Sequence, residues 1–577
     1  VMLTLARLEK DRGDLTRSLA LVQQSVEIIE HLRTSVVSQD LRASFLASKQ
    51  AHYELQIDIL MALHESQPDK GHAAEALRVS EQARARSLLE ILQEGGADIR
   101  QGAPPDLLER ERLLRAEVGE RELQRLKVRS DQEATPERLD EAQKRLDESL
   151  EAYREIQERL LESSPRYAAL TQPRPLEVAK IQAGVLDGGA LLLEYALGTE
   201  RSYLWAVTPA SVESFPLPAR DRIEGLASRY YGLLTARNQP DKTRERLTRM
   251  DTETEQVSAE LSAMLLGPVR HLLKDQPLLV VSDGALQYIP FSALPVPGTT
   301  TLLIQKHAVV NLPSASALAV LREEILNRPA APLTLAVLAD PVFQKDDDRL
   351  ARLPRPGDVA DRSSTSRGMK TGLGAERESE ADLESFLRLW HSAREADEIV
   401  SLLPADQTFR AVGFDASRAT ALSGRLAEYR NVHFATHGLV RSDHPGLSSL
   451  VLSLYEEKGE PVDGFLRLND IYNLELRADL VVLSACRTAL GKEIRGEGLI
   501  GLTRGFMYAG ASRVLATLWS VDDRATADFM KHFYRAMLNG KLSPAEAVRQ
   551  AQLVMMARPN RKAPYFWAGF SLQGEWK

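Results

Sequence analysis

The sequence predicts an α/β protein whose sheet of mostly parallel strands is flanked by helices and preceded by an all-α region and a long helical hairpin. Three observations predict this fold class. Residues 1–96 repeat apolar side chains at helical spacing, and residues 97–170 contain two long, highly charged helical patterns. From residue 171 onwards, short apolar runs alternate with helical segments. Such runs are typical of parallel strands that are buried on both faces.

Composition excludes several classes of protein. The chain has 577 residues, of which 44% are hydrophobic and 27% charged, and its formal net charge is -8. This balance suits a soluble protein of several domains and argues against direct nucleic-acid binding through the surface. One cysteine excludes a disulfide framework and a multi-cysteine metal site, and it fits a reducing compartment. Because no long apolar run or signal-peptide pattern is present, we expect a cytoplasmic protein without membrane contact.

Residues 1–96 are predicted to form degenerate helix-turn-helix repeats. Two stretches resemble each other, each with a glycine at a turn (Gly13, Gly71) and an alanine within the next helix (Ala20, Ala76). Small residues at such places let paired helices approach closely, as in tetratricopeptide repeats. The spacing of the two glycines does not match a regular repeat. The first residues already follow an amphipathic pattern, so we also expect an N-terminal extension.

Residues 97–170 are predicted to form a helical hairpin and a linker. The helices are expected over about 105–132 and 136–163, and Thr135 followed by Pro136 is a favourable start for the second. Leucines at helical spacing on the two helices would face each other in an antiparallel pair. The remaining charged residues are interpreted as a solvated surface.

The α/β part is predicted to consist of two halves, residues 171–330 and 331–577. It opens with a hairpin that turns at Gly198, and five apolar runs follow: PLLVVSD, LTLAVLAD, RNVHFATH, ADLVVLSA and SRVLATLW. Helical segments are expected at 389–403, 414–428, 497–509 and 523–539. The polar stretch 343–380 has few apolar residues and is predicted to be a flexible loop.

Two predicted strands end in residues that could react together. RNVHFATHG leads to His437, and ADLVVLSAC leads to Cys486, the single cysteine. Ligands bind at the carboxyl ends of strands in open α/β sheets, so these side chains would meet if both strands belong to one sheet. An imidazole beside a thiol is the minimum for a nucleophile with a general base. Gly438 would allow its backbone N–H to join that of Cys486 as an oxyanion hole.

Simpler interpretations of these residues remain open. A cysteine beside an apolar strand is more often a small core residue, and a histidine at a strand end is usually structural. His433 and His437 could suggest zinc on a helix, but this segment reads as a strand and residue 434 is Phe, so a metal site is disfavoured. The sequence contains neither a Walker A loop nor a Gly-x-Ser-x-Gly elbow.

Five segments between about residues 390 and 576 occur in a fixed order: HFATHG, SSLVLS, DGFLRLNDIYNLELRADLVVLSACRTALG, GEGLIGLTRGFMYAGASRVLATLWSVDD and YFWAGFSLQGEW. Together they resemble the CHAT family, the caspase-like proteases associated with tetratricopeptide repeats. A weaker similarity extends upstream through LLVVSDGALQYIPFSALP. A His-Gly pair and an Ala-Cys pair that each close a strand also resemble the wider caspase, separase and gingipain group.

The resemblance implies peptide-bond hydrolysis through a thioester, without a metal or another cofactor. Cys486 would be the nucleophile, His437 the base and then the acid, and Gly438 and Cys486 the oxyanion-hole donors. It also implies that residues 171–330 are an inactive caspase-like half packed against the active half, 331–577. Some relatives are switched on by CRISPR effector complexes. We therefore expect a regulatory protein partner on the N-terminal helices, with such a complex among the candidates, and a role in bacterial defence.

The S1 pocket is predicted from the segment LWSVDD, which resembles a separase segment whose acidic residue binds a basic substrate side chain. Asp522 or Asp523 could bind Arg or Lys there. Alternatively, they cap the helix that starts near Arg524. The two readings are equally favoured for Asp522, and the cap is favoured for Asp523. Trp519 and Arg487, which stands where many relatives carry Glu, complete the predicted S1 wall.

Three functions are compatible with these patterns. The first is a regulated cysteine endopeptidase that acts on a protein or peptide substrate. The second is a catalytically silent caspase-like scaffold in a signalling or defence complex. The third is another thiol acyl-transfer reaction, such as hydrolysis of a small amide. The intact His437-Gly438 and Ala485-Cys486 pairs favour an enzyme over a scaffold.

Overall fold

A computed structural model provides the structure of the chain. It describes residues 1–34, 39–84, 104–130, 135–162, 176–239, 243–326, 328–350, 386–439, 447–484, 492–494 and 498–577. Within these ranges, no helix combines the length and the apolar character needed to cross a membrane.

Helices form the N-terminal part of the chain, as predicted. They are α1 (Met2–Asp11), α2 (Leu15–Thr34), α3 (Gln39–Ser66), α4 (His72–Ala83), α5 (Pro105–Ser130) and α6 (Pro136–Glu162). Gly13 and Gly71 connect helices with φ of 85° and 76°, a conformation that a side chain would strain. Ala76 is buried as expected, but Ala20 is exposed. The close contact between helices α1 and α2 lies instead at the buried Ser18, whose hydroxyl donates to the Ala6 carbonyl at 2.6 Å.

The predicted helical hairpin is formed by α5 and α6, and α6 begins at Pro136. The hairpin has its own small core, which contains Leu114, Val118, Leu146, Tyr153 and Ile156. Leu447, from the α/β part of the chain, completes this cluster. The hairpin is therefore packed against the α/β part through Leu447.

The α/β part contains the remaining helices and the strands. The helices are α7 (Val178–Gly184), α8 (Arg220–Thr235), α9 (Arg244–Leu266), α10 (Ala315–Leu326), α11 (Ser392–Val400), α12 (Arg418–Leu422), α13 (Leu468–Ile471), α14 (Leu502–Tyr508), α15 (Asp523–Tyr534) and α16 (Pro544–Met556). The strands are β1 (Leu191–Ala196), β2 (Ser202–Val207), β3 (Val212–Leu217), β4 (Leu278–Val281), β5 (Val309–Leu312), β6 (Leu333–Ala339), β7 (Thr408–Val412), β8 (Tyr429–Ala435), β9 (His437–Leu439), β10 (Ser449–Val451), β11 (Phe465–Arg467), β12 (Leu480–Ser484), β13 (Lys492–Ile494), β14 (Gly498–Ile500), β15 (Arg513–Thr517) and β16 (Phe570–Gly574).

One sheet of 11 described strands organises this part, in the order β3-β2-β1-β4-β5-β16-β15-β12-β8-β6-β7. The pairs β3–β2, β2–β1 and β16–β15 are antiparallel, and the other neighbours are parallel. The predicted fold class, a mostly parallel sheet flanked by helices, is therefore confirmed. The C-terminal strand β16 lies between β5 and β15, so it joins the strands of the two predicted halves into one sheet. The boundary near residue 330 itself remains a prediction.

Helix α4 attaches the helical region to this sheet. The buried Glu81 accepts the backbone N–H groups of Ala315 and Ser316, at 2.9 and 2.8 Å, at the start of α10. Helix N-termini leave such donors without partners, and a carboxylate there is favourable. At the C-terminal end of α4, the Arg84 guanidinium donates to the Ser282 carbonyl at 2.8 Å. A side chain from the repeat-like helices thus caps a helix of the α/β part.

The predicted flexible loop, 343–380, is described only at its start. Residues 343–350 are irregular in conformation, but Phe343 and Leu350 are 2% and 5% exposed and pack against their surroundings. The rest of that stretch, 351–380, lies outside the described residues.

Candidate active site

The pairing of β8 with β12 determines where the predicted catalytic residues leave the sheet. These strands are parallel neighbours, and Ser484 lies opposite Ala435. His437 is the second residue after Ala435, and Cys486 is the second after Ser484. Cys486 itself lies outside the described residues. Because adjacent strands are about 4.8 Å apart, the last paired residues before His437 and Cys486, which are Ala435 and Ser484, are neighbours at one rim of the sheet.

A buried threonine turns the chain between β8 and His437. Thr436 is fully buried, and its hydroxyl donates to the Val451 carbonyl. The chain then enters β9, which pairs with β10 so that His437 lies opposite Val451 and Gly438 opposite Leu450. Gly438 thus belongs to the outer strand of the small sheet β11-β10-β9. Its role as an oxyanion donor remains a prediction, because the other predicted donor, Cys486, is outside the described residues.

The imidazole of His437 is half-buried and packs beside two phenylalanines that also contact each other. Its ring centroid lies 4.9 Å from that of Phe343 and 5.5 Å from that of Phe386. Burial lowers the pKa of His437 below its usual value, although a hydrogen bond to the Leu387 carbonyl acts in the opposite direction. The ring is therefore neutral at pH 7, as a general base must be.

The same hydrogen bond determines which ring nitrogen is free. The Nε2 atom of His437 lies 2.7 Å from the Leu387 carbonyl oxygen. A carbonyl can only accept, so Nε2 carries the proton in the neutral ring and Nδ1 holds the lone pair. Nδ1 is consequently the atom that could take a proton from a thiol.

The sequence did not predict the residues that surround this histidine. Phe343 fell within the expected flexible loop, and Phe386 and Leu387 were assigned no role. A signal was available, because VF at 342–343 and FLRLW at 386–390 are apolar groups at the two ends of the polar stretch. Their contact with His437 could not be deduced from spacing, since it brings together three separate parts of the chain.

The second histidine of this strand has a structural role. His433 is completely buried, and its Nε2 lies 2.8 Å from a Glu395 carboxylate oxygen. Its Nδ1 lies 3.1 Å from the Tyr534 hydroxyl. Both ring nitrogens of His433 are thus engaged by side chains in the core.

The acidic residues of the predicted S1 pocket have separate structural partners. Asp522, not Asp523, is the N-cap of α15, and its carboxylate accepts the Ala525 N–H at 3.0 Å. The expectation that Asp523 also caps this helix was therefore wrong, because Asp523 is already the first helical residue and the cap precedes it. Asp523 instead accepts the backbone N–H of His391 at 3.0 Å, and burial raises the pKa of its carboxyl group.

Of the other two predicted S1 residues, Trp519 does not line an open wall. Trp519 is only 1% exposed, and its indole N–H donates to the Tyr565 carbonyl at 3.0 Å, so its ring packs in the core. Arg487 lies outside the described residues. Asp522 remains about half exposed, and Arg561 lies 3.4 Å from its carboxylate. A role in S1 stays a prediction for Asp522, whose side chain is exposed to solvent.

Curated relatives match limited parts of this chain. The human tetratricopeptide repeat protein 28 is 27% identical over 341 residues, which cover 53% of this chain and 12% of that protein. The mouse protein of the same name is 39% identical over 105 residues, or 18% of this chain and 4% of that protein. The chain therefore spans a small fraction of the length of these relatives.

Two crystal structures of the Saccharomyces cerevisiae separase–securin complex are also similar. They align with 99% of this chain and 49% of the other chain, at TM-scores of 0.43 and 0.45 and identities of 10% and 9%. A likeness at this level carries no argument about function.

The family comparison covers the candidate site. The family model of the CHAT domain matches residues 255–575, which is more than half of the chain. That region contains strands β4 to β16, and with them His437 and Cys486. The chain belongs to the CHAT domain family.

Proposed function

We propose that this chain is a cysteine endopeptidase in which Cys486 is the nucleophile and His437 the general base. The observation that carries the proposal is the parallel register of β8 and β12, in which Ala435 and Ser484, each two residues before His437 and Cys486, are paired. The neutral, Nε2-protonated imidazole of His437 supports it, because such a ring offers Nδ1 as the proton acceptor.

The proposed reaction follows from these roles. His437 Nδ1 accepts the thiol proton while the Cys486 sulfur attacks the carbonyl carbon of the scissile peptide bond. The resulting oxyanion binds the backbone N–H groups of Gly438 and Cys486. The imidazolium gives its proton to the leaving amine, and a thioester remains. Water then attacks the thioester with His437 as the base, which releases the acid and restores the thiol. No metal takes part in this scheme.

We further propose that a protein partner regulates this site through the N-terminal helices. The support is structural continuity: Leu447 packs into the core of the α5–α6 hairpin, and two residues later the chain enters β10, which pairs with the strand of His437. A partner that moved the hairpin would therefore act on β9. The single cysteine is compatible with the reducing cytoplasm as the location. Equal hydrolysis with and without candidate partners would contradict this regulation.

The alternatives are a scaffold without catalysis and hydrolysis of small amides. A scaffold requires no thiolate reactivity, and a small-amide hydrolase requires no extended substrate. Reactivity toward a peptide-based thiol probe and toward peptides of increasing length therefore separates the three functions.

The first test replaces the two catalytic residues. Cys486→Ala should abolish labelling by a peptide electrophile and cleavage of a proteome-derived peptide library. His437→Gln should lower kcat by about 100- to 10,000-fold, because no base then accepts the thiol proton. His271→Gln serves as the control, since His271 pairs with Glu213 on the exposed surface of β3. A wild type without labelling or cleavage would favour the scaffold, and cleavage of small amides alone would favour the third function.

A second test concerns the charge of the base. We expect His437 to titrate below about pH 6.5 in Cys486→Ala, because its ring is partly buried beside two phenylalanines and the charged form is disfavoured. The neutral base is then present above that pKa and lost as the pH falls through it. Phe343→Ala should raise the pKa toward the ordinary value by admitting water.

Nuclear magnetic resonance of isotope-labelled histidine measures this titration. Phe529→Ala is the matched control, because Phe529 is equally buried but stacks on Phe570 rather than on His437. A His437 pKa at or above the ordinary value in Cys486→Ala would contradict the neutral-base assignment.

A third test concerns substrate choice. If the Asp522 carboxylate binds a basic side chain, Asp522→Ala should reduce cleavage after Arg or Lys by about 10- to 100-fold relative to other residues. Library profiling measures this preference. Asp528→Ala is the control. Asp528 lies further along the same helix, α15, and pairs with Arg558, which is outside that helix. An unchanged preference in Asp522→Ala would remove this residue from the pocket.

A further inference from the structure

The segment 386–391 holds the carbonyl group that binds His437. It precedes α11, lies outside the strands, and carries both the Phe386 ring and the Leu387 carbonyl that contact the imidazole. An irregular segment can keep a carbonyl in a fixed direction only if other parts of the molecule restrain it. The restraints on this segment therefore bear on the state of the histidine.

The main restraint comes from a buried aspartate on the neighbouring strand. Asp340 is the first residue after β6, which pairs with β8, and it is 2% exposed. Its carboxylate accepts from Nε and Nη2 of Arg388 at 2.9 and 2.7 Å. Such a two-point contact fixes the direction of a guanidinium as well as its position. Since Arg388 follows Leu387, the contact restrains the peptide unit that binds His437.

The conformation of Asp340 is itself unusual. Its φ of 47° lies in the left-handed region, which costs free energy for a residue other than glycine. Two hydrogen bonds hold the Asp340 backbone in this conformation. Its carbonyl accepts the Gly413 N–H at 3.2 Å and the Arg349 guanidinium at 2.7 Å. Strain of this kind persists where surrounding contacts determine the backbone, and here it accompanies a carboxylate paired with Arg388.

Arg388 also organises the exposed part of the segment. Its guanidinium carbon lies 4.4 Å from the centre of the Trp390 ring, a cation–π contact. One residue later, the His391 N–H is bound by Asp523. The segment is thus held near its middle by Asp340 and at its end by Asp523, with the Leu387 carbonyl close to the first of these anchors.

We propose that Asp340 and Arg388 are positioning residues that keep the Leu387 carbonyl in place and so hold His437 in its Nε2-protonated form. A buried ion pair contributes little net stability compared with well-packed apolar residues. The role that we assign to this pair is therefore to fix the direction of the Leu387 carbonyl. The catalytic consequence rests on the proposed peptidase function. The effect on the imidazole does not depend on it.

The test observes the ring of His437 directly by nuclear magnetic resonance of isotope-labelled histidine, with His437→Gln used for assignment. In the wild type at neutral pH, Nε2 should carry the proton and Nδ1 should not. In Arg388→Gln, both nitrogen signals should move toward values averaged over the two tautomers. Asp340 has Arg349 as a second partner at 3.0 Å, so we expect this variant to fold. Arg388→Lys, which retains charge but not the two-point contact, should lie between the two.

Arg418→Gln is the matched control. Arg418 binds Asp470 with its Nε and Nη2 at 3.0 and 2.7 Å, and its side chain is 27% exposed, compared with 24% for Arg388. This ion pair belongs to α12 and α13 rather than to the segment. The proposal predicts wild-type ring signals in Arg418→Gln. Unchanged signals in Arg388→Gln, or equal changes in both variants, would overturn it.

Activity provides an independent second measurement. If the wild type hydrolyses peptides, Arg388→Gln should lower kcat at least about tenfold with little change in KM, because the base is misoriented while substrate contacts remain. A loss confined to KM would contradict the positioning role. A wild type without hydrolysis would refute the peptidase function, and the ring signals would still decide whether Asp340 and Arg388 position His437.

Discussion

The candidate site depends on the parallel register between β8 and β12. Because Ser484 lies opposite Ala435, the two strands end at the same rim of the sheet and run in the same direction. The side-chain period of a strand is two, so a slip of one residue would turn the following side chains to the other face. The neighbouring strands use the same rim, since Asp340 follows β6 and the Asp522 cap follows β15. The sheet is therefore the frame on which the site residues are spaced.

Two opposing influences act on His437. Burial beside Phe343 and Phe386 disfavours its charged form, whereas the Leu387 carbonyl favours it. The first influence is the larger and keeps the ring neutral, and the second selects which nitrogen carries the proton. The aromatic rings thus control charge and the backbone carbonyl controls orientation. Both depend on stretches that flank the polar region 351–385, and neither depends on the strand that carries the histidine.

Sequence patterns were sufficient where a feature depends on neighbouring residues. The apolar runs ending at Ser484 and Ala435, the turn at Gly198 and the start of α6 at Pro136 follow from local periodicity and turn chemistry. Features that depend on distant residues were missed. The position of β16 between β5 and β15, the close approach of α1 and α2 at Ser18 rather than Ala20, and the capping of α10 by Glu81 all involve contacts between separate parts of the chain. The surroundings of His437 belong to this second kind.

The single cysteine permits the most direct test of a shared crevice, because the alkylation rate of the protein reports on Cys486 alone. A small alkylating reagent applied across a pH range gives the pH at which the thiol becomes reactive. The account predicts that this point lies below about 8.5 in the wild type and moves up toward 8.5 in His437→Gln, because the imidazole no longer assists ionisation. A profile that is the same in both proteins would show that the thiol and the imidazole do not meet.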